Sequence, residues 1–230
     1  MSFRVYVDFD GTIAPDDPTD NLFERFADPE WKVIEAEWQA GRLASWETMQ
    51  RQVQLLDADP DELDAYVATM QVDPAFPAFV DLCRQYDAEV LVVSDGFDRV
   101  IARVLETAGL DLPYAANRLE PVGEGRWRLK FPHRRFDCAT RMGNCKCSHQ
   151  RGPAGARQVM VGDGRSDFCI AERCDFVLAK GRLAEHCVAK GLDHVAMASF
   201  ADATPVLAEW LDREQTSSIG LRAGKTRRRI

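Results

Sequence analysis

The chain has 230 residues, 46% of them apolar, and a formal net charge of -8. That length buries a sizeable core as one domain, or as one domain with a large insertion. The acidic balance argues against a general binder of nucleic acid or of membrane surfaces, and no run of about 18 apolar residues marks a membrane span.

In chain order, residues 3–9 (FRVYVDF) read as a buried parallel strand. The stretch is too short and too acidic for a signal peptide, so the expected location is the cytoplasm. It runs into Asp8 and Asp10, carboxylates that are costly at a buried strand end. From Asp16 to Val72 the pattern turns helical. Trp31, Ile34, Trp38, Met49 and Val53 recur at helical spacing, with Pro18, Pro29 and Pro60 as punctuation. Trp31, Trp38 and Trp46 read as the core of this insertion, one of them available to line a cavity.

The α/β pattern then resumes. Residues 78–86 suggest a helix, 88–96 a strand running into Ser94-Asp95-Gly96, and 99–110 an amphipathic helix closed by Gly109. Residues 117–131 predict a β-hairpin around Gly-Glu-Gly, and 157–167 a strand ending on Asp163 and Asp167. Strands near 174–179 and 194–197 flank a helix, and 201–213 form a last amphipathic helix. The division is therefore an α/β core over 1–15 and 73–213, a helical insertion over 16–72, and a basic, disordered tail over 214–230. The fold class is a doubly wound parallel sheet, a Rossmann-like core, with the helical insertion and a small β-hairpin insertion.

In such a sheet, ligands bind beyond the carboxyl ends of the strands. Three strands end there in polar residues: Asp8/Asp10, Ser94-Asp95-Gly96 and Asp163/Asp167. Carboxylates gathered at one edge repel unless a cation sits between them, and hard oxygen ligands suit Mg²⁺ shared with a phosphate. One carboxylate can then attack phosphorus, and another can carry a proton to and from the leaving oxygen. Ser94 offers a hydroxyl, and Gly96 lets its backbone N–H approach a phosphoryl group. Of six lysines, Lys146 is the best placed to neutralise these oxygens.

DFDGTI, Ser94 with Gly96 after a hydrophobic strand, Lys146, and GDGRSD resemble the four ordered motifs of the haloacid-dehalogenase superfamily, from residue 3 to about 180. The second acid, Asp10, resembles the phosphotransfer branch. The resemblance implies Asp8 as nucleophile and Asp10 as general acid/base. It implies Asp163 as a Mg²⁺ ligand with the Asp8 carboxylate and the Asp10 carbonyl. Asp167 would orient Lys146 or a metal water. The insertion over 16–72 resembles the helical cap of the phosphoserine-phosphatase-like group. EWKVIEAEW, SWETMQRQVQLL and GDGRSDFCIAERCDFVLAKGRL are similar to the methionine-salvage phosphatase group, which acts on 2-hydroxy-3-keto-5-methylthiopentenyl-1-phosphate.

The family pattern is not matched everywhere. Where phosphoserine phosphatases carry a carboxylate-reading arginine, this chain has Gln52; Asp17 corresponds to the acid near the substrate ammonium. Gly152-Pro153 soon after Lys146 implies that its helix is short or broken. The expectation is a Mg²⁺-dependent phosphatase of a small phosphorylated metabolite. The alternatives are a phosphomutase or phosphotransferase with the same site, a phosphatase for phosphoserine, phosphocholine, phosphoethanolamine or a sugar phosphate, and a non-catalytic phosphate-binding module. No nucleic acid or membrane partner is expected, and a homodimer is compatible with the sequence.

Seven cysteines, an odd number in a long chain, do not form the pattern of a disulfide framework. Cys138, Cys145 and Cys147, with His133 and His149, could supply a structural Zn²⁺ site. Reduced thiols in a loop are the preferred reading, because the spacing lacks a C-x-x-C pair. Cys83, Cys169, Cys174 and Cys187 read as small core residues.

Overall fold

The structure is a computed structural model that describes residues 2–150 and 155–225, with side chains described to Ser217. Gly152 and Pro153, expected to break the lysine-bearing helix, lie outside the described residues.

Seven strands form one sheet in the order β4-β3-β2-β1-β5-β6-β7. They are β1 (Phe3–Val7), β2 (Ala88–Phe97), β3 (Tyr114–Gly123), β4 (Arg126–Lys130), β5 (Arg157–Gly162), β6 (Phe176–Ala179) and β7 (His194–Ala196). All neighbours pair in parallel except β3 and β4. The central strands are rich in valine, whose branched side chain suits a pleat buried on both faces. Alternation sends Val5 and Val7 to one face and Tyr6 to the other, and each face has its own apolar cluster. Each such side chain, fully buried, contributes roughly 1.5–3 kcal/mol.

Register matters most for the site. Val7 lies opposite Val92 on one side and Val161 on the other. Asp8 therefore leaves the sheet beside Ser94 and Asp163. Parallel pairing brings three acid- and hydroxyl-bearing ends to one edge.

Between β1 and the core helix α5 (Phe76–Gln85) the chain forms α1 (Pro18–Phe26), α2 (Trp31–Gln39), α3 (Ser45–Val53) and α4 (Pro60–Val67). Asp17 and Asp59 cap α1 and α4, each followed by proline at the first helical position, where its missing N–H costs nothing. This block docks on the core through specific bonds. Arg99 of α6 (Asp98–Thr107) holds Asp64 of α4 with two bonds of 2.6 Å. Trp127 Nε1 donates to Ala58 O at 3.0 Å, and Ala58 N donates to Gly125 O at 2.9 Å.

The hairpin joins the main sheet: β3 pairs with β2, so the hairpin extends the sheet edge. The last helix, after α7 (Phe168–Ala171) and α8 (Gly181–Lys190), is α9 (Phe200–Lys225), which continues through most of the expected tail. The first half of the helix is packed, with Leu207, Trp210 and Leu211 buried, and the turns beyond extend it from that nucleus. Glu214, inside that segment, pairs with Arg157 at 2.8 Å. Residues 226–230 lie outside the described residues. No helix among the described residues is long and apolar enough to cross a membrane.

Candidate active site

Asp8 sits just past β1, buried, with its Oδ1 accepting from the Phe9 backbone N–H at 2.7 Å. The Lys146 ammonium lies 2.6 Å from the same oxygen and 2.7 Å from Asp167 Oδ1. Lys146 is fully buried and is delivered by a single 3₁₀ turn, Lys146–His149, as the short-helix reading requires. Burial alone would lower its ammonium pKa, but Asp167 and Asp8 outweigh that and hold it above the ordinary lysine value. Burial, and next the Asp167 charge, push the Asp8 carboxyl well above the usual carboxylate range; Lys146 acts against them.

Asp163 follows β5. Its Oδ1 accepts from Thr12 Oγ1 at 2.9 Å, and burial and Asp167 raise its pKa. Oxygens of Asp8, Asp163 and Asp167 lie within 4.8 Å of one another. Asp167 is already engaged on both sides, since its Oδ2 accepts from the Asp163 and Gly164 backbone N–H groups, both at 3.1 Å. Asp8 and Asp163 both line the cavity at the strand ends. This hard, anionic donor set, raised in pKa by burial and mutual repulsion, fits a divalent oxygen-seeking cation.

Asp10 accepts from the Thr19 backbone N–H and from Ser94 Oγ, each at 3.1 Å, and Ser94 Oγ accepts from Gly96 N at 2.8 Å. Glycine at 96 leaves room for these side chains. A Cβ there would stand 2.3 Å from Asp10 Oδ2 and 2.9 Å from Thr19 Oγ1.

Asp17 and Gln52 both line the cavity from the helical block. Burial, then Asp10, push the Asp17 carboxyl up to about 8, and burial, then Glu35, push Asp20 up to about 6. Gln52 Nε2 donates to Glu35 Oε2 at 3.2 Å.

Asp95, one of the residues expected at the phosphate, lies at the cavity. Its carboxylate borders the cavity but is turned onto the protein, accepting from Ser45 Oγ at 2.5 Å, Asn144 N at 2.7 Å and Asn117 Nδ2 at 3.1 Å. Three donors saturate a buried carboxylate and leave little capacity for a phosphate. Asp95 thus joins α3, the β2 end and the loop two residues before Lys146.

Sequence reasoning missed Thr12, Thr19, Ser45, Asn117 and Asn144. Thr12 adjoins the DFDG motif and Asn144 nearly adjoins Lys146, so proximity was a usable signal for those two. Thr19 Oγ1 is buried with no hydrogen-bond partner, beside Gly96. Nothing in the sequence marked Ser45 or Asn117.

The whole opens onto a cavity of about 450 Å³ between the strand ends and the helical block, with Phe23, Trp38 and Met49 on its far wall. A parallel sheet carrying a lysine-bridged carboxylate cluster at its carboxyl edge, covered by inserted helices, defines a hydrolase site for an anionic group.

The comparisons with known proteins agree. The model of haloacid dehalogenase-like hydrolases matches residues 5–172. The chain is 29% identical over 211 residues to a 2-hydroxy-3-keto-5-methylthiopentenyl-1-phosphate phosphatase of Brevibacillus brevis, covering 89% of this chain and 95% of that one. It is 30% identical over 213 residues to the protein of the same name in an Exiguobacterium species, covering 88% and 95%. The fold superposes on a substrate-bound phosphoserine phosphatase with a TM-score of 0.67 at 21% identity, over 88% of this chain and 96% of that one. The chain belongs to the haloacid dehalogenase-like hydrolase family. It is an enzyme of the phosphatase kind within it.

Proposed function

We propose that this phosphatase is Mg²⁺-dependent, works through an aspartyl-phosphate on Asp8, and acts on 2-hydroxy-3-keto-5-methylthiopentenyl-1-phosphate in methionine salvage. The observation that carries the chemistry is the buried Lys146 bridging Asp8 and Asp167, with Asp163 in reach and with Asp8 and Asp163 lining the cavity.

Asp8 and Asp163 would hold the cation together with the Asp10 carbonyl, and Asp167 would fix Lys146 and the Asp163 loop. Bound there, Mg²⁺ supplies positive charge that keeps neighbouring carboxylates ionised and offsets charge on a phosphoryl group. Lys146 fixes Asp8 Oδ1, which leaves Oδ2 to attack phosphorus. The ester P–O bond breaks as Asp10 gives its proton to the leaving oxygen. Asp10 then takes a proton from water, whose oxygen attacks the phosphorus and breaks its bond to Asp8. Ser94 Oγ and Gly96 N–H, now turned onto their neighbours, are the donors for the phosphoryl oxygens. Most of the acceleration comes from positioning and fixed charge.

The helices α1 to α4 act as a cap over the leaving group. Two features of the cap wall support an alkylthio substrate: Phe23, Trp38 and Met49 offer apolar area, and Gln52 stands paired with Glu35 where an anionic head group would need a cation. The names of the relatives support the same substrate.

The test is phosphate release from a panel: the methylthiopentenyl phosphate, phosphoserine, phosphocholine and a hexose phosphate, with Mg²⁺ or with EDTA. Release should be Mg²⁺-dependent, with the highest kcat/KM on the methylthio compound. Asp8→Asn should cost at least about 10³-fold. Wild-type turnover in that variant would sink the nucleophile assignment, and a preference for phosphoserine would sink the substrate.

A further inference from the structure

The segment 131–150 is a long connection with little regular structure, and it must place Lys146 in a fully buried position. Loops of this length need some source of order beyond their own hydrogen bonds. Here the only apolar cluster is Cys138, Met142 and Cys145, with Cys147 packed against it. All of the cysteines are free.

Four of them converge. Cys145 Sγ lies 3.4 Å from Cys147 Sγ. Cys138 Sγ lies 3.3 Å from Thr140 Oγ1, which lies 4.0 Å from Cys169 Sγ. The same thiols surround a cavity of about 310 Å³, together with Arg135 and Arg173. Cys169 is the unexpected member. It reads as a core residue in the sequence, but α7 turns it toward the loop. Two thiolates on one Zn²⁺, at about 2.3 Å each in a tetrahedron, stand a little under 4 Å apart. The Cys145–Cys147 separation is near that spacing and well beyond a disulfide bond length of about 2 Å.

We propose that Cys138, Cys145, Cys147 and Cys169 bind one Zn²⁺ ion as a structural tetrathiolate site that anchors the loop carrying Lys146. The placement has a consequence for the active site. Cys145 and Cys147 flank Lys146, and Cys169 lies two residues beyond Asp167, so one ion ties down both members of the buried Lys146–Asp167 pair. On binding, four S–H bonds break, four Zn–S bonds form, and four protons leave to solvent. The site then carries a net charge of −2, opposite in sign to the guanidinium group of Arg173 on the cavity wall; Arg135, also on that wall, is already paired with Asp137 at 2.8 Å. No three of these sulfurs lie within 4.8 Å of one another among the described residues, so binding draws the thiols inward by side-chain rotation. Soft thiolates favour Zn²⁺ over the Mg²⁺ of an oxygen site, which keeps the two sites distinct.

The experiment is elemental analysis of the full chain purified without chelator, paired with titration by a thiol reagent before and after zinc release. The expected result is about one zinc per chain and four thiols that react only once zinc is released. Cys138→Ser and Cys169→Ser should each lose most of the zinc, whereas Asp8→Asn and Cys83→Ser should keep it. Where a serine variant fails to fold, cobalt substitution of the wild-type protein supplies the second measurement. A thiolate-to-cobalt charge-transfer band with the visible bands of a tetrahedral sulfur site is expected. Protein without zinc that neither binds added Zn²⁺ nor protects its thiols overturns the proposal. So does iron in place of zinc, zinc lost in Asp8→Asn, or a Cys145–Cys147 disulfide in the freshly isolated protein.

Discussion

Gly96 carries more of the site than its size suggests. Its missing side chain is the space in which Asp10 Oδ2 stands, since a Cβ would come within 2.3 Å of that oxygen. Gly96→Ala should therefore displace the acid/base and cut kcat by about 10²-fold with little change in melting temperature. Steady-state kinetics beside a thermal melt checks this, and unchanged kcat would mean Asp10 is not the proton carrier. Asp17 bears a different prediction. Its carboxyl is pushed up to about 8, so in metal-free protein it stays protonated in the fold at pH values where the unfolded chain has released that proton. The native state then binds more protons, and stability falls as pH rises from about 4 to 8. The substitution Asp17→Asn keeps the cap and removes the charge, because asparagine caps helices about as well as aspartate. This variant should match wild type near pH 4 and melt higher at pH 8 in EDTA. Asp8, Asp10, Asp163, Asp167, Ser94, Gly96 and Lys146, which the structure gathers at one sheet edge, could be picked out in the sequence, because strand ends and motif order mark them. The direction of the Asp95 carboxylate was not legible, since one pointing at a ligand and one turned back onto Ser45 and Asn144 look alike in one dimension.

At the scale of elements, strand order and register were readable where apolar runs ended in polar residues, and β1, β2 and β5 converge as that reading requires. The reach of α9 was missed because helix propagation from a packed first half is not visible as periodicity in the second. Docking of α3 was missed too, since it depends on pairs far apart in sequence. Ser45 of α3, Asp95 near the end of β2 and Asn144 before Lys146 form one buried connection between the helical block and the lysine loop. Asp95 is raised in pKa by burial, with Ser45, Asn144 and Asn117 opposing that by donating to it. Removing one donor leaves a buried carboxylate short of a partner, at a cost of about 1–3 kcal/mol. Ser45→Ala should lower stability by that order in urea denaturation and weaken substrate binding more than Ser45→Thr, which retains the hydroxyl. Equal effects of the two variants would assign the loss to packing alone.

Over the whole molecule, the fold places a set of carboxylates at one sheet edge and spends apolar burial elsewhere to keep them there. Asp8, Asp163, Asp17 and Asp20 all lie above the usual carboxylate range, first because of burial. A raised acid means that the folded state holds protons the unfolded state has lost, so metal-free stability should decline as pH rises from about 4 through 6 and 8. Lys146 acts in the same direction, but only at high pH: its raised value contributes stability below the ordinary lysine range that is lost as pH climbs through it. A cation bound by the ionised carboxylates adds RT ln(1 + [L]/Kd), a term that grows as those groups deprotonate. The two slopes oppose each other. Melting temperature in EDTA should fall steadily from pH 5 to 8, and Mg²⁺ in millimolar excess should raise it, by little at pH 5 and most at pH 8. The Mg²⁺ gain should disappear in Asp163→Asn, where one ligand oxygen is gone. A melting temperature independent of both pH and Mg²⁺ would mean that these carboxylates are already satisfied by the protein, and that the strand-end cluster is structural.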